Sequence, residues 1–202
     1  MLDVVTLIKA AGYIGLFSII FSESGFFGFF FPGDSLLFTA GFLASQGVLE
    51  IWLLMVICFV AAVLGDSVGY AIGYMVGPKI FSREDSFFFH KSHLEKTQAF
   101  YEAYGPKTIV LARFVPVVRT FAPLLAGVGK MRYRTFLTYN IFGGLLWAVG
   151  LTWLGYWLGG TIPNMERYIV YIVILIIMLT SIPPLWEYLK YRRSREYKTP
   201  QS

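Results

Sequence analysis

Long apolar runs, interrupted by few polar positions, dominate this sequence. A helix that spans a bilayer needs about 20 predominantly apolar residues. Ile51–Gly77 and Tyr168–Trp186 meet this requirement most clearly, Phe136–Gly159 is long enough as well, and a first span lies within Leu2–Phe31. The pattern therefore predicts an all-α polytopic membrane protein with about four full spans.

Two further apolar segments, near residues 24–45 and 107–128, are interrupted by proline and glycine. Proline removes a helix donor and clashes with the preceding turn, and glycine permits a backbone reversal. Non-helical backbone at membrane depth is tolerated only where protein buries it or where it lines a wet cavity. We therefore predict two re-entrant helical hairpins. The residues at their breaks are Pro32, Gly33, Pro116, Pro123 and Gly127.

The composition agrees with a membrane protein. Apolar residues make up 56% of the 202 residues and charged residues only 14%, against about 25% charged residues in soluble domains. The net charge of +5 does not indicate nucleic-acid binding, because the basic residues lie mainly in short loops and the C-terminal tail. We expect one transmembrane domain, residues 1–189, and a basic cytoplasmic tail, residues 190–202.

The distribution of Lys and Arg predicts the topology. Basic residues concentrate in the segment 78–107, in the loop Lys130–Arg134 and in the tail, whereas Gln46–Glu50 has none and Thr161–Arg167 has only Arg167. By the positive-inside rule, this asymmetry places both termini and the segment 78–107 in the cytoplasm. The first hairpin then enters the membrane from the outside and the second from the inside.

A repeated pattern relates the two halves of the chain. The sequence Gly-Tyr-x-x-Gly occurs at Gly69–Gly73 and at Gly155–Gly159, each 28 residues after an Ala-Gly pair that ends at Gly41 or Gly127. The offset is 86 residues, and the predicted topology gives the halves opposite orientations. Inverted repeats with broken helices that meet near the bilayer midplane are an architecture of transporters.

Five ionisable residues lie within apolar stretches of membrane length. At the centre of a spanning helix each costs roughly 2.5–3.5 kcal/mol on insertion scales, so such residues pair with each other, take a proton or face water. They usually mark a pathway or a binding site. The five are Glu23, Asp34, Asp66, Arg113 and Arg119.

These residues predict an anion site with a proton switch. Adding the repeat offset to Gly33 gives Arg119, so we expect an acidic hairpin to face a basic one. Arginine binds carboxylate or phosphate through a planar fork, and a desolvated carboxylate can take a proton. The alternative is purely structural pairing that holds the hairpins together. For Asp66, a structural and a functional role are both open.

Hydrolytic, nucleotide and metal chemistry find little support in the sequence. There is no Walker loop or dinucleotide fingerprint. Gly65–Gly69 matches the Gly-x-Ser-x-Gly pattern but lies within the predicted span Ile51–Gly77, not at a strand-to-helix turn. The two histidines, His90 and His93, both lie in the cytoplasmic segment. The single cysteine, Cys58, cannot form an internal disulfide and is expected to pack among apolar side chains. We expect a protein that is not an enzyme and has neither a metal nor a cofactor.

The ordered motifs resemble those of the bacterial DedA family of membrane proteins, part of a wider class that includes eukaryotic lipid scramblases. The resemblance covers most of the chain, and the ordered set is specific. The matching motifs are Glu23-x-Gly25, Pro32-Gly33-Asp34, Gly65-Asp66, Gly69-Tyr70-x-x-Gly73, Arg113-Phe114-x-Pro116-x-x-Arg119, Pro123, Ala126-Gly127 and Phe136-x-x-x-Asn140-x-x-Gly143-x-x-x-Trp147.

The resemblance implies two re-entrant hairpins and a location in the bacterial inner membrane. It implies a role in envelope integrity, dependence on the proton gradient, and the flipping of undecaprenyl phosphate, a polyprenyl phosphate, for re-use in cell-wall synthesis. It also implies that Glu23, Asp34, Arg113 and Arg119 match the family's functional acidic and basic positions. We expect the two arginines to bind the phosphate and the carboxylates, with Asp66 as a third candidate, to carry protons.

Two other functions stay open. A proton-coupled exporter of small cations or drugs would bind its cargo at the carboxylates, and it should tolerate lysine in place of either arginine, which a forked phosphate site should not. A non-transporting assembly factor for membrane proteins would not need the charged hairpins. The expected partners are membrane lipids and protons, without nucleic acid, and a homo-oligomer is open.

Overall fold

A computed structural model describes residues 4–27, 33–81, 105, 107–114 and 116–162, with four further positions at 171, 174, 175 and 178. The predicted span Tyr168–Trp186 falls almost entirely outside these residues, and most of the cytoplasmic segment and the whole basic tail do so as well. Pro32, His90 and His93 also lie outside them. The number of spans and the re-entrant character of the hairpins therefore stay predictions.

Every described element of secondary structure is helical, as the apolar pattern predicts. The elements are α1 (Val4–Ser22), a π-helical turn (Glu23–Phe27), α2 (Gly33–Ser45), α3 (Ile51–Phe81), α4 (Lys107–Ala112), α5 (Pro116–Val128), α6 (Tyr133–Gly144), a second π-helical turn (Leu145–Val149) and α7 (Gly150–Thr161). Each π-helical turn continues the helix before it without a loop. Such turns are rare and are frequent at functional sites, which draws attention to Glu23 and to the second π-helical turn.

Two continuous helical stretches, Ile51–Val76 and Tyr133–Thr161, are long and apolar enough to cross a membrane, with mean hydropathies of 2.4 and 1.4. They agree with the predicted spans Ile51–Gly77 and Phe136–Gly159. Both stretches expose large apolar side chains: Trp52 is 65% exposed and Leu146 is 59% exposed. Exposed apolar surface of this kind is unfavourable in water and suits contact with lipid.

The segment predicted as the second hairpin is interrupted before Pro116. Helix α4 ends at Ala112, a turn follows at residues 113–114, and Pro116 begins α5. The first helical position suits proline because its missing N–H would have no partner there in any case. Pro123 and Gly127, which the sequence pattern assigned to the break, lie within α5 instead.

Glycines bring two pairs of helices into backbone contact. A Cβ atom at Gly41 of α2 would fall on the carbonyl oxygen of Thr152 in α7, and one at Gly127 of α5 would fall on the carbonyl oxygen of Tyr70 in α3. Gly127 is therefore a packing position, not a turn. Each of these two helices packs on the span that belongs to the other half of the chain.

The two helix pairs cross in registers that differ from the sequence motif. Gly155 lies against Phe38 as Gly73 lies against Leu124. The positions on α2 and α5 are thus 86 residues apart, but those on the spans are 82 apart, and α3 and α6 also begin 82 residues apart. The two Gly-Tyr-x-x-Gly motifs are therefore about one helical turn out of register in the fold.

The described interior contains two apolar clusters. One gathers α1, α2, α3 and the second π-helical turn around the fully buried side chains of Leu37, Leu54 and Cys58 and the nearly buried Trp147. The other surrounds Tyr70, whose ring stacks on that of Phe136 with centroids 4.7 Å apart. The burial of Cys58 confirms its expected packing role.

Substituting Gly127 or Gly41 with alanine should destabilise the protein. The added Cβ would overlap a backbone carbonyl of the facing helix, and overpacking of this kind costs typically about 1–3 kcal/mol. Thermal unfolding of the purified protein in one detergent would measure the loss.

Gly12→Ala and Gly150→Ala are matched controls, since nothing lies within 4 Å of a Cβ at either helical position. Alanine is favoured over glycine in a helix by up to about 1 kcal/mol, so both controls should keep or raise the melting temperature. Equal melting temperatures for all four variants would contradict the close crossings.

Candidate functional site

The fold brings the five predicted ionisable residues into one region. Glu23 lies in the first π-helical turn, Asp34 in the first turn of α2, Asp66 in α3, Arg113 in the turn after α4 and Arg119 in α5. They form two ion-pair groups, one at each arginine. The predicted pairing of carboxylates with arginines is therefore present, with each carboxylate assigned to a partner.

The first group, called here the Arg119 group, joins the two hairpin segments. The Arg119 guanidinium donates through Nη2 to Oε1 of Glu23 and through Nη1 to Oδ1 of Asp34, the second bond at 2.6 Å. The two carboxylates come from the first hairpin segment and the guanidinium from the second. The planar fork of arginine makes this double contact possible, because its two Nη atoms point to two acceptors at once.

The Glu23 carboxylate lies directly on the backbone of Gly33. The Gly33 N–H donates to Oε1 of Glu23 at 3.2 Å, and a Cβ atom at Gly33 would overlap the carboxyl group. Gly33, which the sequence pattern assigned to the hairpin break, is the first residue of α2, and its lack of a Cβ permits the close approach of Glu23. The other oxygen, Oε2, is buried and has no hydrogen-bond partner among the residues that the structure describes.

The second group, called here the Arg113 group, ties the second hairpin segment to the spans beside it. The Nη2 atom of Arg113 donates to Asp66 in α3 and to the side-chain oxygen of Asn140 in α6. Asn140 is fully buried, and its Nδ2 donates to the carbonyl of Val63 at 3.1 Å. Gly143 leaves room for the arginine, since a Cβ there would lie 2.7 Å from Cδ of Arg113.

Trp147 connects the two groups. Its Nε1–H donates to Oδ1 of Asp34 at 2.7 Å, and its ring lies under the Arg119 guanidinium, with 4.9 Å from Cζ to the ring centroid. Cζ of Arg113 is 5.9 Å from the same centroid. A guanidinium within about 6 Å of an indole face is attracted by its quadrupole, the more so when water is excluded.

The space between the two groups is small. Its volume is about 10 Å³, which is close to what one water molecule needs. A phosphate group is several times larger and does not fit. The site is therefore closed to any phosphate unless the helices or side chains move apart. The residues that line it are Glu23, Ser24, Asp66, Arg113, Arg119, Thr120 and Trp147.

The charges of the two groups do not balance when all five are ionised. Three carboxylates face two guanidiniums, which leaves one net negative charge in a largely buried place. One proton on a carboxylate would neutralise the cluster.

Among the residues that the structure describes, there is no set of three His, Cys, Asp or Glu side chains that could hold a metal ion.

Comparison with known proteins identifies the family. The VTT domain profile matches residues 31–157, and protein DedA of Escherichia coli (strain K12) is 45% identical over 185 residues, which cover 90% of this chain and 84% of that protein. This chain belongs to the DedA family. An uncharacterized membrane protein of Mycobacterium leprae is 43% identical over 167 residues, or 83% of this chain and 75% of that protein. No solved structure matches.

Membership in the DedA family confirms the resemblance that the motifs suggested, and with the two membrane-length helices it makes this a membrane protein. The matched VTT domain, residues 31–157, contains four of the five ionisable residues, whereas Glu23 precedes the matched region. The carboxylate that completes the Arg119 group thus comes from outside the matched region of this DedA protein.

The sequence alone assigned no role to three residues of the site. Asn140, Gly143 and Trp147 belong to a motif of the resemblance, but the motif alone did not say what they contact. Their spacing of three and four residues places them on one face of a helix. A buried asparagine in an apolar span was the signal that could have pointed to that face, because buried polar groups need hydrogen-bond partners.

Proposed function

We propose that this DedA-family protein translocates a lipid phosphate across the bacterial inner membrane and depends on the proton gradient. The favoured cargo is undecaprenyl phosphate, moved from the outer to the inner leaflet for re-use in envelope synthesis. The proposal includes the multi-pass topology with both termini in the cytoplasm. It also assigns phosphate binding to Arg113 and Arg119 and proton transfer to the carboxylates.

The observation that carries the proposal is the Arg119 group. Its guanidinium is held by two carboxylates from the facing hairpin segment. A phosphate also presents acceptor oxygens, and one guanidinium can bind two of them through its fork. An incoming phosphate can therefore take the Nη bond of one carboxylate, or both Nη bonds when Glu23 and Asp34 are both released.

The energetics favour a site that exchanges partners over one that only stabilises the fold. Removing two charges from water costs several kcal/mol per ion, and a buried ion pair is often no more stabilising than apolar side chains of the same size. Five such charges in one buried region are therefore a weak means of holding helices together. Binding of a charged cargo and a proton would explain these five charges, because intramembrane ionisable residues commonly mark functional sites.

The size of the cavity supports a mechanism in which the site alternates between closed and open states. With room for about one water, the observed conformation excludes the cargo. Opening must separate at least one carboxylate from Arg119, and a proton on that carboxylate lowers the cost of separation because a neutral acid is desolvated more cheaply than a carboxylate. The hydrocarbon tail of the lipid would stay in the bilayer throughout.

Leaflet-specific transport in liposomes tests the proposal. Liposomes that contain only this protein and a labelled undecaprenyl phosphate should move the label between leaflets faster than protein-free liposomes, and an imposed pH gradient should change the rate. Dephosphorylated undecaprenol in the same assay is the matched control, since it lacks only the phosphate. Equal rates for both lipids would contradict a phosphate site.

Export of a small cation is the rival function, and the net negative charge of the five groups favours it. In that case the carboxylates would hold the cation, and the arginines would only change how readily those carboxylates take a proton. Liposomes loaded with a fluorescent cation discriminate the two functions. Gradient-driven cation efflux without movement of the lipid phosphate would support the rival.

A further inference from the structure

Besides the longer contact of its ring with Arg113, Trp147 makes two close contacts in the site, and both are to members of the same ion pair. Its indole N–H binds Oδ1 of Asp34, the atom that also accepts from Nη1 of Arg119. Its ring lies under the guanidinium of Arg119. The indole is 4% exposed, so these contacts are made away from water, where such interactions are strongest.

This arrangement matters when the Arg119–Asp34 pair opens. If Arg119 leaves, Asp34 loses its arginine donor in a place where an unpaired carboxylate is costly. The indole N–H then remains as its hydrogen-bond donor. At the same moment the guanidinium can turn on the indole face toward a new acceptor and keep its contact with the ring.

We propose that Trp147 is a positioning residue for partner exchange at Arg119. Trp147 keeps a hydrogen bond to Asp34 and keeps the guanidinium on the indole face while Arg119 releases Asp34 and binds the phosphate of a lipid. This inference rests on the proposed function. It adds that the ease of exchange, and hence the affinity for lipid phosphate, is set by a residue that does not touch the phosphate.

Trp147→Phe separates the two contacts, because phenylalanine keeps an aromatic face but has no N–H. We expect the lipid phosphate concentration that gives half-maximal transport to rise about tenfold or more, as for the loss of one hydrogen bond to a charged group. The maximal rate should change much less. The control is Trp153→Phe in α7. Trp153 is 45% exposed, and its ring packs at a tilt against those of Trp52 and Tyr156 outside the site.

A double-mutant cycle with Asp34→Asn distinguishes positioning from packing. The amide of asparagine carries no charge that needs a donor when Arg119 leaves. In the Asp34→Asn background, Trp147→Phe should therefore change the half-maximal concentration by less than about twofold. Such a difference between backgrounds is a coupling energy, which residues in contact show. A packing role for Trp147 predicts the same loss in both backgrounds. Equal losses in both backgrounds, or no loss in either, would overturn the inference.

Two further readouts keep the test decisive. If Trp147→Phe does not fold, replacement of Trp147 with 3-benzothienylalanine keeps the bicyclic ring and exchanges only the N–H for sulfur, and the same tenfold rise is expected. If the wild-type protein neither binds nor moves lipid phosphate, the proposed function fails and this inference fails with it. A functional wild type with an unaffected Trp147→Phe variant refutes the inference alone.

Discussion

Arg119→Lys should abolish most transport of lipid phosphate while the protein still inserts and folds. A lysine ammonium is a single point charge, so it cannot span Glu23 and Asp34 as the two Nη atoms of Arg119 do, nor bind a phosphate in a bidentate manner. Loss of one charge-assisted hydrogen bond costs about 1.5–3 kcal/mol, which corresponds to a decrease of roughly tenfold to 150-fold in transport efficiency. Initial rates in liposomes measure the decrease.

Arg113→Lys should reduce transport as well. The ammonium of lysine lies one atom nearer the backbone than the Nη2 atom that binds Asp66 and Asn140, and it cannot bind a phosphate through a fork. Arg132→Lys is the matched control, because it is the same substitution at an exposed residue just before α6, and it should keep the wild-type rate. Wild-type rates for both Arg113→Lys and Arg119→Lys would reject the phosphate fork and favour the cation exporter.

The sequence alone predicted the parts of this molecule that depend on long-range pattern. A run of apolar residues long enough to cross a bilayer is a strong signal, and it located α3 and the continuous helix of α6 and α7 to within a few residues. The rarity of charges in such runs singled out all five ionisable residues that the structure places in the two ion-pair groups.

Features that depend on local packing could not be predicted from the sequence. Pro123 looked like a break because proline usually interrupts a helix, yet α5 continues through it. Gly127 looked like a turn, yet it serves the backbone contact with α3. Glycine is compatible with either role, and only the facing helix decides between them.

The partners within the site were also undetermined by sequence. Spacing along the chain suggested that acidic and basic hairpins face each other, which holds for Arg119 with Glu23 and Asp34. It did not assign Asp66 to Arg113, because that pair depends on how α3 lies beside the turn after α4. Trp147 was visible only as the last residue of one motif of the resemblance, and its contacts with Asp34 and Arg119 required the fold.

The carboxylates of the Arg119 group differ in how well they are bound. Asp34 accepts from both Arg119 and Trp147 at the same oxygen. Glu23 accepts from Arg119 and Gly33 at Oε1, while its buried Oε2 has no hydrogen-bond partner in the described part of the chain. A buried charged oxygen without a donor is unfavourable, and protonation removes that charge. Glu23 is therefore the carboxylate that we expect to take the proton when the site opens.

Glu23→Gln should remove the response of transport to a pH gradient, because glutamine resembles a permanently protonated glutamate. For each proton moved with the cargo, a gradient of one pH unit supplies up to about 1.4 kcal/mol, or tenfold accumulation. Wild-type liposomes should show this dependence, and Glu23→Gln liposomes should bind lipid phosphate but accumulate it equally with and without the gradient. Glu50→Gln, at an exposed loop residue, is the control that should behave as wild type.

Asp34→Asn tests the second carboxylate in the same way. If Glu23→Gln and Asp34→Asn both keep the wild-type response, the coupling proton lies elsewhere and Asp66 becomes the next carboxylate to substitute.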